Sequence, residues 1–426
     1  MISELVTLLD RTVIGRLKRA GGGRLSFTYD EAYRGAQGAR PLSLSMPLAQ
    51  AEHGHRIVEA FLWGLLPDNE LILGRWAKRF ETSARNVFGL LSHVGEDCAG
   101  AVRFVAEPRV ATIAADRGGR VQWLEEAEVA TRLRALSTDI SAWRRADDAG
   151  QFSLAGAQSK TALLFDGTRW GIPSGRTPTT HILKPGALGL PGHTENEHFC
   201  LALAKELGLG VASSRVMRCE EQLALVVTRY DRVRIGRGLV RAHQEDVCQA
   251  LGVLPQNKYQ SDGGPSARAV AALLREHSQR VKEDLDAFVD ALAYNFLIAG
   301  TDGHAKNYSL LIGAGGRARL APLYDVASAL AYDEPQVQKL KLAMSIGGKY
   351  RLREVGRRQW QKLAGELGLG DEAVRARVLR MAEALPDASA DVLRAMRRER
   401  LRHPVLGKLE LRLPERAKRC AAALGA

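Results

Sequence analysis

Hydrophobic positions recur with two different periods along this chain, and the places where the period changes mark out its elements. Leu5 to Leu9 and Thr12 to Leu17 read as a strand pair around Asp10-Arg11. Gly21-Gly22-Gly23 is a turn, followed by a strand over Arg24 to Tyr29. Leu42-Ser43-Leu44-Ser45-Met46 alternates with period two, which again predicts an extended segment. Val58 to Leu66 and Ile72 to Arg79 have helical spacing and are separated by the break Pro67-Asp68-Asn69. Residues 106–150 are polar and Arg-rich, a connector with its own helix near Glu125 to Leu136.

The pattern changes in the middle of the chain. Lys160 to Phe165 is a β-type run, Asp166-Gly167 a strong hairpin turn, and Arg169 to Pro173 the return strand. Thr180 to Lys184 is another short strand. Thr194-Glu195-Asn196-Glu197 opens a helix with a capping-box pattern, Thr194 at the N-cap and Glu197 three residues on. Phe199, Cys200, Leu203, Ala204 and Leu207 give that helix an apolar stripe, and Gly208 and Gly210 close it. Strands follow at Ser214 to Arg218 and Leu223 to Arg229. From Gln244 onward the pattern is mainly helical, interrupted by a hairpin of Tyr308 to Ile312 and Ala318 to Leu323. The expected architecture is α+β in three parts: an α/β segment at 1–105, a connector with a nucleotide-binding sheet at 106–240, and a mainly helical segment at 241–426.

Composition narrows the class. The 426 residues suggest two or three domains at about 150 residues each. With 46% apolar and 26% charged residues, wholesale disorder and a collagen-like chain are excluded. Five widely spaced cysteines without a CxxC pair fit neither a disulfide scaffold nor a zinc site, and suit a reducing, cytoplasmic setting. The N-terminus does not read as a signal peptide, and no run approaches 18 apolar residues, so no membrane association is expected. The net charge of +13 hints at a polyanionic partner. Residues 351–426 carry 18 basic and 10 acidic side chains, so +8 of that surplus lies at the C-terminal end.

The sharpest chemical pattern is Thr301-Asp302-Gly303-His304-Ala305-Lys306-Asn307, then a hairpin, then Leu323-Tyr324-Asp325. Phosphoryl transfer to a hydroxyl needs a carboxylate to orient or accept the hydroxyl proton and hard oxygen ligands to hold Mg²⁺ on the phosphates. Asp302 supplies the first; Asn307 and Asp325 supply the second. The D-x-x-x-x-N spacing matches a protein-kinase catalytic loop, and an Asp beyond the next hairpin matches the metal-binding Asp of D-F-G. Turn and cap chemistry explains any one of these residues equally well, but not all three together.

A second pattern lies upstream, at Ser153-Leu154-Ala155-Gly156-Ala157-Gln158-Ser159-Lys160-Thr161. Small residues let backbone N–H groups approach phosphates, and a nearby Lys adds charge. The segment satisfies neither the Walker A nor the kinase glycine-loop spacing. Its context strengthens it: a strand hairpin follows, then Lys184 at a strand end, then a helix bearing Glu195 and Glu197, which is the order of a kinase N-lobe. Glu197 either pairs with Lys184 or only completes the capping box.

Together with Thr179-Thr-His-Ile-Leu-Lys184, Arg229-Tyr-Asp-Arg232, Gln244-Glu-Asp246, Ser261-Asp-Gly-Gly-Pro265 and Pro322-Leu-Tyr-Asp325, these segments resemble the HipA family of serine/threonine kinase toxins of HipBA-type toxin–antitoxin modules. Ala39 to Pro47 and Leu65 to Asn69 are similar to that family's N-terminal subdomain. The resemblance is weakest at 106–145 and after 350. It implies a protein-kinase-like fold, with ATP and Mg²⁺ as cofactors. Asp302 would be the catalytic base, and Asn307 and Asp325 the metal ligands. Ala155, Gly156, Ala157, Gln158, Ser159, Lys160 and Lys184 would hold the phosphates. Thr228, Arg229 and Tyr230 would form the adenine hinge, with His304, Lys306 and Tyr324 also at the nucleotide. Ser153 matches the family's autophosphorylated serine, where nearly two added negative charges would repel ATP phosphates. Leu183 to Leu190 is the expected region of the activation loop. The implied partners are a HipB-like helix-turn-helix antitoxin, operator DNA bound through that complex, and a protein substrate of the aminoacyl-tRNA synthetase class, glutamyl-tRNA synthetase foremost.

His181, His193 and His304 lack paired metal-ligand spacing and read as structural. Arg351, Arg353, Arg357, Arg358 and the cluster Arg394, Arg397, Arg398, Arg400 and Arg402 read first as solvated helix faces and second as a surface for operator phosphates. Two rivals stand beside the toxin kinase: a small-molecule kinase of the aminoglycoside-phosphotransferase type, and a non-catalytic co-repressor that binds antitoxin and DNA.

Overall fold

The computed structural model describes residues 3–115, 119–139, 142, 152–186, 189–236, 238–333 and 339–425. The first part runs β1 (Glu4–Leu9), β2 (Thr12–Arg19), β3 (Leu25–Tyr29), α1 (Glu31–Arg34), β4 (Glu52–His53), α2 (His55–Gly64), α3 (Glu70–Arg79), α4 (Val87–Val94) and β5 (Val102–Val105). The middle runs α5 (Glu107–Ala115), β6 (Arg120–Leu124), α6 (Glu126–Thr138), β7 (Thr161–Phe165), β8 (Trp170–Ser174), β9 (His181–Pro185), α7 (His193–Glu206), β10 (Ser214–Cys219) and β11 (Gln222–Thr228). Then come β12 (Arg232–Ile235), β13 (Gly238–Arg241), β14 (Gln244–Asp246), α8 (Val247–Ala250), α9 (Ala267–His277), α10 (Val281–Ile298), β15 (Ser309–Ile312) and β16 (Ala318–Leu320). The chain closes with β17 (Lys341–Ile346), β18 (Lys349–Arg351), α11 (Arg357–Glu366), α12 (Asp371–Arg398) and α13 (Pro404–Gly425).

Two compact units emerge. One comprises Met1–Pro185, Met217–Gln256 and Ser309–Ala318, the other Gly186–Val216, Asn257–Tyr308 and Arg319–Ala426. Two larger antiparallel sheets stand out in the first unit. One has the order β4-β3-β2-β1-β5, and its apolar face is built by Leu5, Leu9, Ile14, Leu17 and Phe27 against Phe61, Leu62, Phe88 and Leu91 of α2 and α4. Phe152 and Leu154 are inserted into that same core, which fixes the chain on either side of Ser153. The other sheet has the order β10-β11-β9-β7-β8-β6, with Val129, Ala130 and Leu133 of α6 packed on Leu163, Ile172, Leu183 and Val226. The connector is thus more than the single helix expected: its β6 also pairs with β8 at the sheet edge.

The first unit also buries a charge cluster. Asp97 accepts from Arg232, Arg241 and Thr179, while Asp231 accepts from Arg229, Arg232 and the Gly100 N–H. Burial by itself would raise the Asp97 carboxyl, but Arg232, Arg241 and Arg229 hold it well below the usual carboxylate range. Nearby, the Gln244-Glu245-Asp246 motif is a structural tie. Glu245 accepts the Leu44 N–H at 2.7 Å, Asp246 caps α8, and Gln249 of α8 donates to the Phe61 carbonyl at 2.9 Å.

The second unit is mainly helical. α12 runs 28 residues and buries Val374, Val378, Met381, Ala382 and Leu385 on one stripe, the 3.6-residue period of an amphipathic helix. The hairpin β17–β18 was not anticipated, and neither was β12–β13 in the first unit. Both are short and polar on one side, so they leave little periodic signal.

Two local expectations are corrected. Leu42 to Met46 is an irregular loop, not a strand. Pro41 and Pro47 bracket it, and the Tyr29 phenol bonds its ends, accepting from Leu42 N–H at 2.7 Å and donating to Met46 O at 2.6 Å. The capping box at Thr194 does not form. α7 begins at His193 with Gly192 as N-cap in the left-handed region, φ 72°. A Cβ on Gly192 would stand 2.2 Å from His403, so that close approach sets where the helix starts. Thr194 and Glu197 are buried within its first turns.

Candidate active site

The expected catalytic residues lie in the second unit and are brought together by the end of α10. This helix stops at Ala299, whose φ of 56° is a left-handed cap. The loop then wraps around Asn295. That side chain donates to Ala291 O at 3.1 Å and to the Tyr308 hydroxyl at 3.2 Å. A Cβ on Gly300 would stand 2.3 Å from Asn295 Oδ1, and one on Gly303 would stand 3.0 Å from Nδ2. Glycine at these two positions lets the loop close over the amide.

Asp302 is exposed at the tip of this loop. Its Oδ1 accepts from the Tyr259 hydroxyl at 2.6 Å, which leaves the second carboxylate oxygen for another donor. Asn307 is buried, and its Nδ2 donates to Asp302 O at 2.8 Å and to Asp325 O at 3.4 Å. One amide therefore ties the catalytic loop to the second Asp. With Nδ2 so engaged, Oδ1 is the atom left to act as a ligand. Asp325 has φ 60°, a left-handed conformation that Asp tolerates better than most residues. Tyr324 donates to Lys306 O at 2.6 Å, a second link between the two segments. His304 stands edge-on to Tyr259 with ring centres 5.0 Å apart, and burial lowers its pKa, so it serves the loop as a neutral ring.

Two residues the sequence reading passed over hold the next segment. Asn196 of α7 exchanges hydrogen bonds with Ser328, donating to its carbonyl at 2.9 Å and accepting from its N–H at 3.1 Å. Ser328 Oγ donates to Ile298 O at the end of α10. Tyr259 was likewise missed. The only available signal was Asn295, a polar residue inside the apolar run 291–300.

The nucleotide-side residues lie in the first unit. β9 pairs with β7 at Thr161↔Leu183 and with β11 at Lys184↔Leu225. Lys160 immediately precedes β7, Lys184 is the residue after Leu183 in β9, and both are buried. Lys160 Nζ donates to Ala155 O at 2.5 Å and closes the loop over Gly156, whose φ is 102°. Ala157 is the exposed tip; Gln158 is half-buried and Ser159 buried. Gly156 also bridges to Pro67, and Asp68 N–H donates to Gly156 O. Ser153 is fully buried, its hydroxyl donating to Leu65 O at 2.7 Å.

At the expected hinge, Thr228 ends β11 and is exposed. The Arg229 side chain is committed to the buried cluster, donating to Asp231, Thr179 and Cys98 O, so only its backbone remains for a nucleotide. Tyr230 donates to Gln244 Oε1. Of the expected activation-loop region, residues 187 and 188 lie outside the described residues. At the C-terminal end, Arg394 pairs with Asp391 and Arg397 with Glu410, while Arg398, Arg400 and Arg402 are exposed. Among the described residues no helix is long and apolar enough to cross a membrane.

The donor set fits Mg²⁺. This ion takes oxygen ligands and is usually held by one or two carboxylates plus substrate phosphates and water. Asn307 Oδ1 and the Asp325 carboxylate are oxygens of that kind, held in place by the amide described above.

Comparison with known proteins places the chain in a family. The model of the HipA N-terminal domain matches residues 5–105, and that of the HipA-like C-terminal domain matches residues 152–389. A putative kinase, Y4mE of Sinorhizobium fredii, is 37% identical over 390 residues, covering 90% of each chain. The serine/threonine-protein kinase toxin HipA of Shewanella oneidensis is 29% identical over 373 residues, covering 84% of this chain and 82% of that protein. A solved HipA from Shewanella oneidensis, in complex with HipB and its operator DNA, superposes with a TM-score of 0.84 at 24% identity, over 98% of this chain and 97% of that one. This last likeness is one of fold, and it makes the architecture α+β and HipA-like. Since the two domain models together match most of the chain and a putative kinase is 37% identical over 90% of it, this chain is a member of the HipA family of kinases.

Proposed function

We propose that this protein transfers the γ-phosphoryl group of ATP to a serine or threonine of another protein, and that it acts as the growth-arresting toxin of a toxin–antitoxin module. The observation that carries the chemistry is the Asn307 amide, bonded to both Asp302 O and Asp325 O. It locks base and metal ligands into one rigid unit, which phosphoryl transfer requires above all. Tyr259 occupies one Asp302 oxygen and orients the other toward the acceptor hydroxyl. Asp302 receives that proton as the hydroxyl oxygen bonds to the γ-phosphorus and the bond from that phosphorus to the β–γ bridging oxygen breaks, releasing ADP. Asn307 and Asp325 would hold Mg²⁺, which when bound would offset negative charge on the phosphates. In the first unit, Lys160 and Lys184 would supply positive charge to nucleotide phosphates, together with the backbone of Ala155 to Ser159.

Self-inactivation by phosphorylation of Ser153 belongs to the same proposal. Its support is the seat of that serine: a phosphate cannot occupy a fully buried site against a carbonyl oxygen, so the loop must leave. A HipB-like antitoxin and its operator are the proposed partners, in keeping with the complex in which the solved HipA was found. The exposed Arg398, Arg400 and Arg402 are available for phosphates in such an assembly. The proposed target is an aminoacyl-tRNA synthetase, glutamyl-tRNA synthetase first. Incubation with labelled ATP and Mg²⁺, followed by mapping of the labelled residues, tests this reading. Label on Ser153 and on a protein target supports it; label only on a small molecule such as an aminoglycoside would favour the small-molecule kinase.

A further inference from the structure

A cleft of about 500 Å³ opens beside the catalytic loop, and its chemistry is one-sided. Tyr259 and Thr301 form one wall, and Lys341, Lys349, Arg351 and Glu354 of the β17–β18 hairpin and the turn after it form the other. Tyr259 is the residue that bonds Asp302, so the cleft reaches the side chain that holds the proposed base. The hairpin is fixed to the Tyr259 turn by Gln260, which accepts from Ser345 N–H at 2.8 Å and donates to Ser345 Oγ at 3.0 Å. Its other face is buried through Leu342, Met344 and Ile346, so the charged side is presented on a rigid support.

The charges are arranged against the hairpin's own stability. Lys341 is the register partner of Arg351. Like charges directly opposite each other across a strand pair are destabilising. The single acid of the hairpin and its following turn, Glu354, lies 3.7 Å from Lys349 and 3.8 Å from Arg351 and is shared between them, while Lys341 has no ion-pair partner among the described residues. Three cations against one carboxylate on the rim of a cleft leave an unbalanced positive field that an anionic ligand would neutralise.

We propose that this cleft is the docking site for an acidic segment of the protein substrate, presenting its serine or threonine to Asp302. The inference rests on the kinase reading and adds the class of acceptor sequence. Carboxylates flanking the acceptor residue engage Lys341, Lys349 and Arg351, and the hydroxyl-bearing residue lies at the Tyr259 end.

The test uses the full chain and two fluorescent peptides of equal length, each with a central serine, one flanked by glutamates and the other by lysines. Binding is read by anisotropy without ATP, so it does not depend on turnover. The expected result is at least tenfold tighter binding of the glutamate peptide, weakening with salt. In the double variant Lys341→Glu, Lys349→Glu the preference reverses toward the lysine peptide, a gain that misfolding cannot produce. Equal binding of the two peptides, or a preference unmoved by the reversal, would overturn the proposal. A second arm adds Mg-ATP and follows phosphate on the peptide serine. Binding that tracks charge with no phosphate on either peptide keeps the anion-binding cleft and overturns the kinase reading. Phosphate on both peptides alike keeps the kinase reading and overturns the cleft.

Discussion

The Ser153 hydroxyl donates to the Leu65 carbonyl at 2.7 Å from a position with no solvent exposure, while Phe152 and Leu154 on either side are set in the core of the β1–β5 sheet. The loop that carries Gly156 and Lys160 is thereby fastened to the N-terminal part of the chain. A charge at Ser153 has no partner there, and leaving an uncompensated charge buried costs roughly 3–5 kcal/mol. Ser153→Asp is therefore expected to expel the loop and weaken binding of a non-hydrolysable ATP analogue about 100-fold or more by calorimetry. Ser153→Ala removes one hydrogen bond, at about 1–3 kcal/mol for the orphaned carbonyl, and retains nucleotide binding. Equal affinity of the Asp variant and wild type would contradict the role given to this seat.

The buried cluster under the hinge makes a stability prediction. Asp97→Ala leaves Arg232 and Arg241 without their shared carboxylate, at a cost of about 3–5 kcal/mol. The denaturant midpoint of the first unit should fall accordingly. Because the folded Asp97 carboxyl lies far below its ordinary 3.8, its contribution is full above that pH and is lost as pH falls below it. The difference between wild type and variant should therefore shrink in acid.

Glu245 has the opposite sign. Burial pushes its carboxyl up from 4.5 to about 8, so the folded chain favours the protonated acid. That stabilisation is complete below pH 4.5 and is lost as pH rises through 8. Glu245→Gln keeps an oxygen for the Leu44 N–H and removes the titration. The variant should melt with wild type at pH 4 and several degrees higher at pH 9. Superimposable melts at both pH values would contradict the assignment.

Loop geometry at the base can be tested without touching the base. Gly300→Ala places a methyl group 2.3 Å from Asn295 Oδ1 and must shift the turn that leads to Asp302. A displacement of about 1 Å near reacting groups costs on the order of 100-fold in rate. The expected outcome is a kcat lowered by that order with the KM for ATP within about threefold of wild type, because no Gly300 atom is given a role in nucleotide binding.

Local periodicity made the two sheets and most helices legible. Leu5 to Leu9 and Thr12 to Leu17 pair as their alternation requires, and Asp166-Gly167 turns the chain into β8. The juxtaposition of Asp302, Asn307 and Asp325 was legible because they lie close in sequence around one hairpin. What escaped depends on distant partners. Tyr29 closing the loop at Leu42 to Met46, His403 fixing Gly192, Tyr259 reaching Asp302 and Leu65 holding Ser153 all join residues tens of positions or more apart, except the 13 to 17 residues spanned by Tyr29. No local pattern encodes such pairings. Arg229 shows the converse: a motif residue read as facing a nucleotide is spent on a buried ion pair.

The most direct measurement is transfer of labelled γ-phosphate from Mg-ATP by wild type and by Asp302→Asn, each first shown to be folded by its melting curve. The substitution preserves shape and the hydrogen bond from Tyr259 but removes the proton acceptor. Loss of a general base costs typically 10²–10⁴-fold, so labelling should fall by about that factor while the melting temperature stays within a few degrees. Undiminished labelling by a folded Asp302→Asn protein would contradict the assignment of the base and, with it, the account of how this chain transfers phosphate.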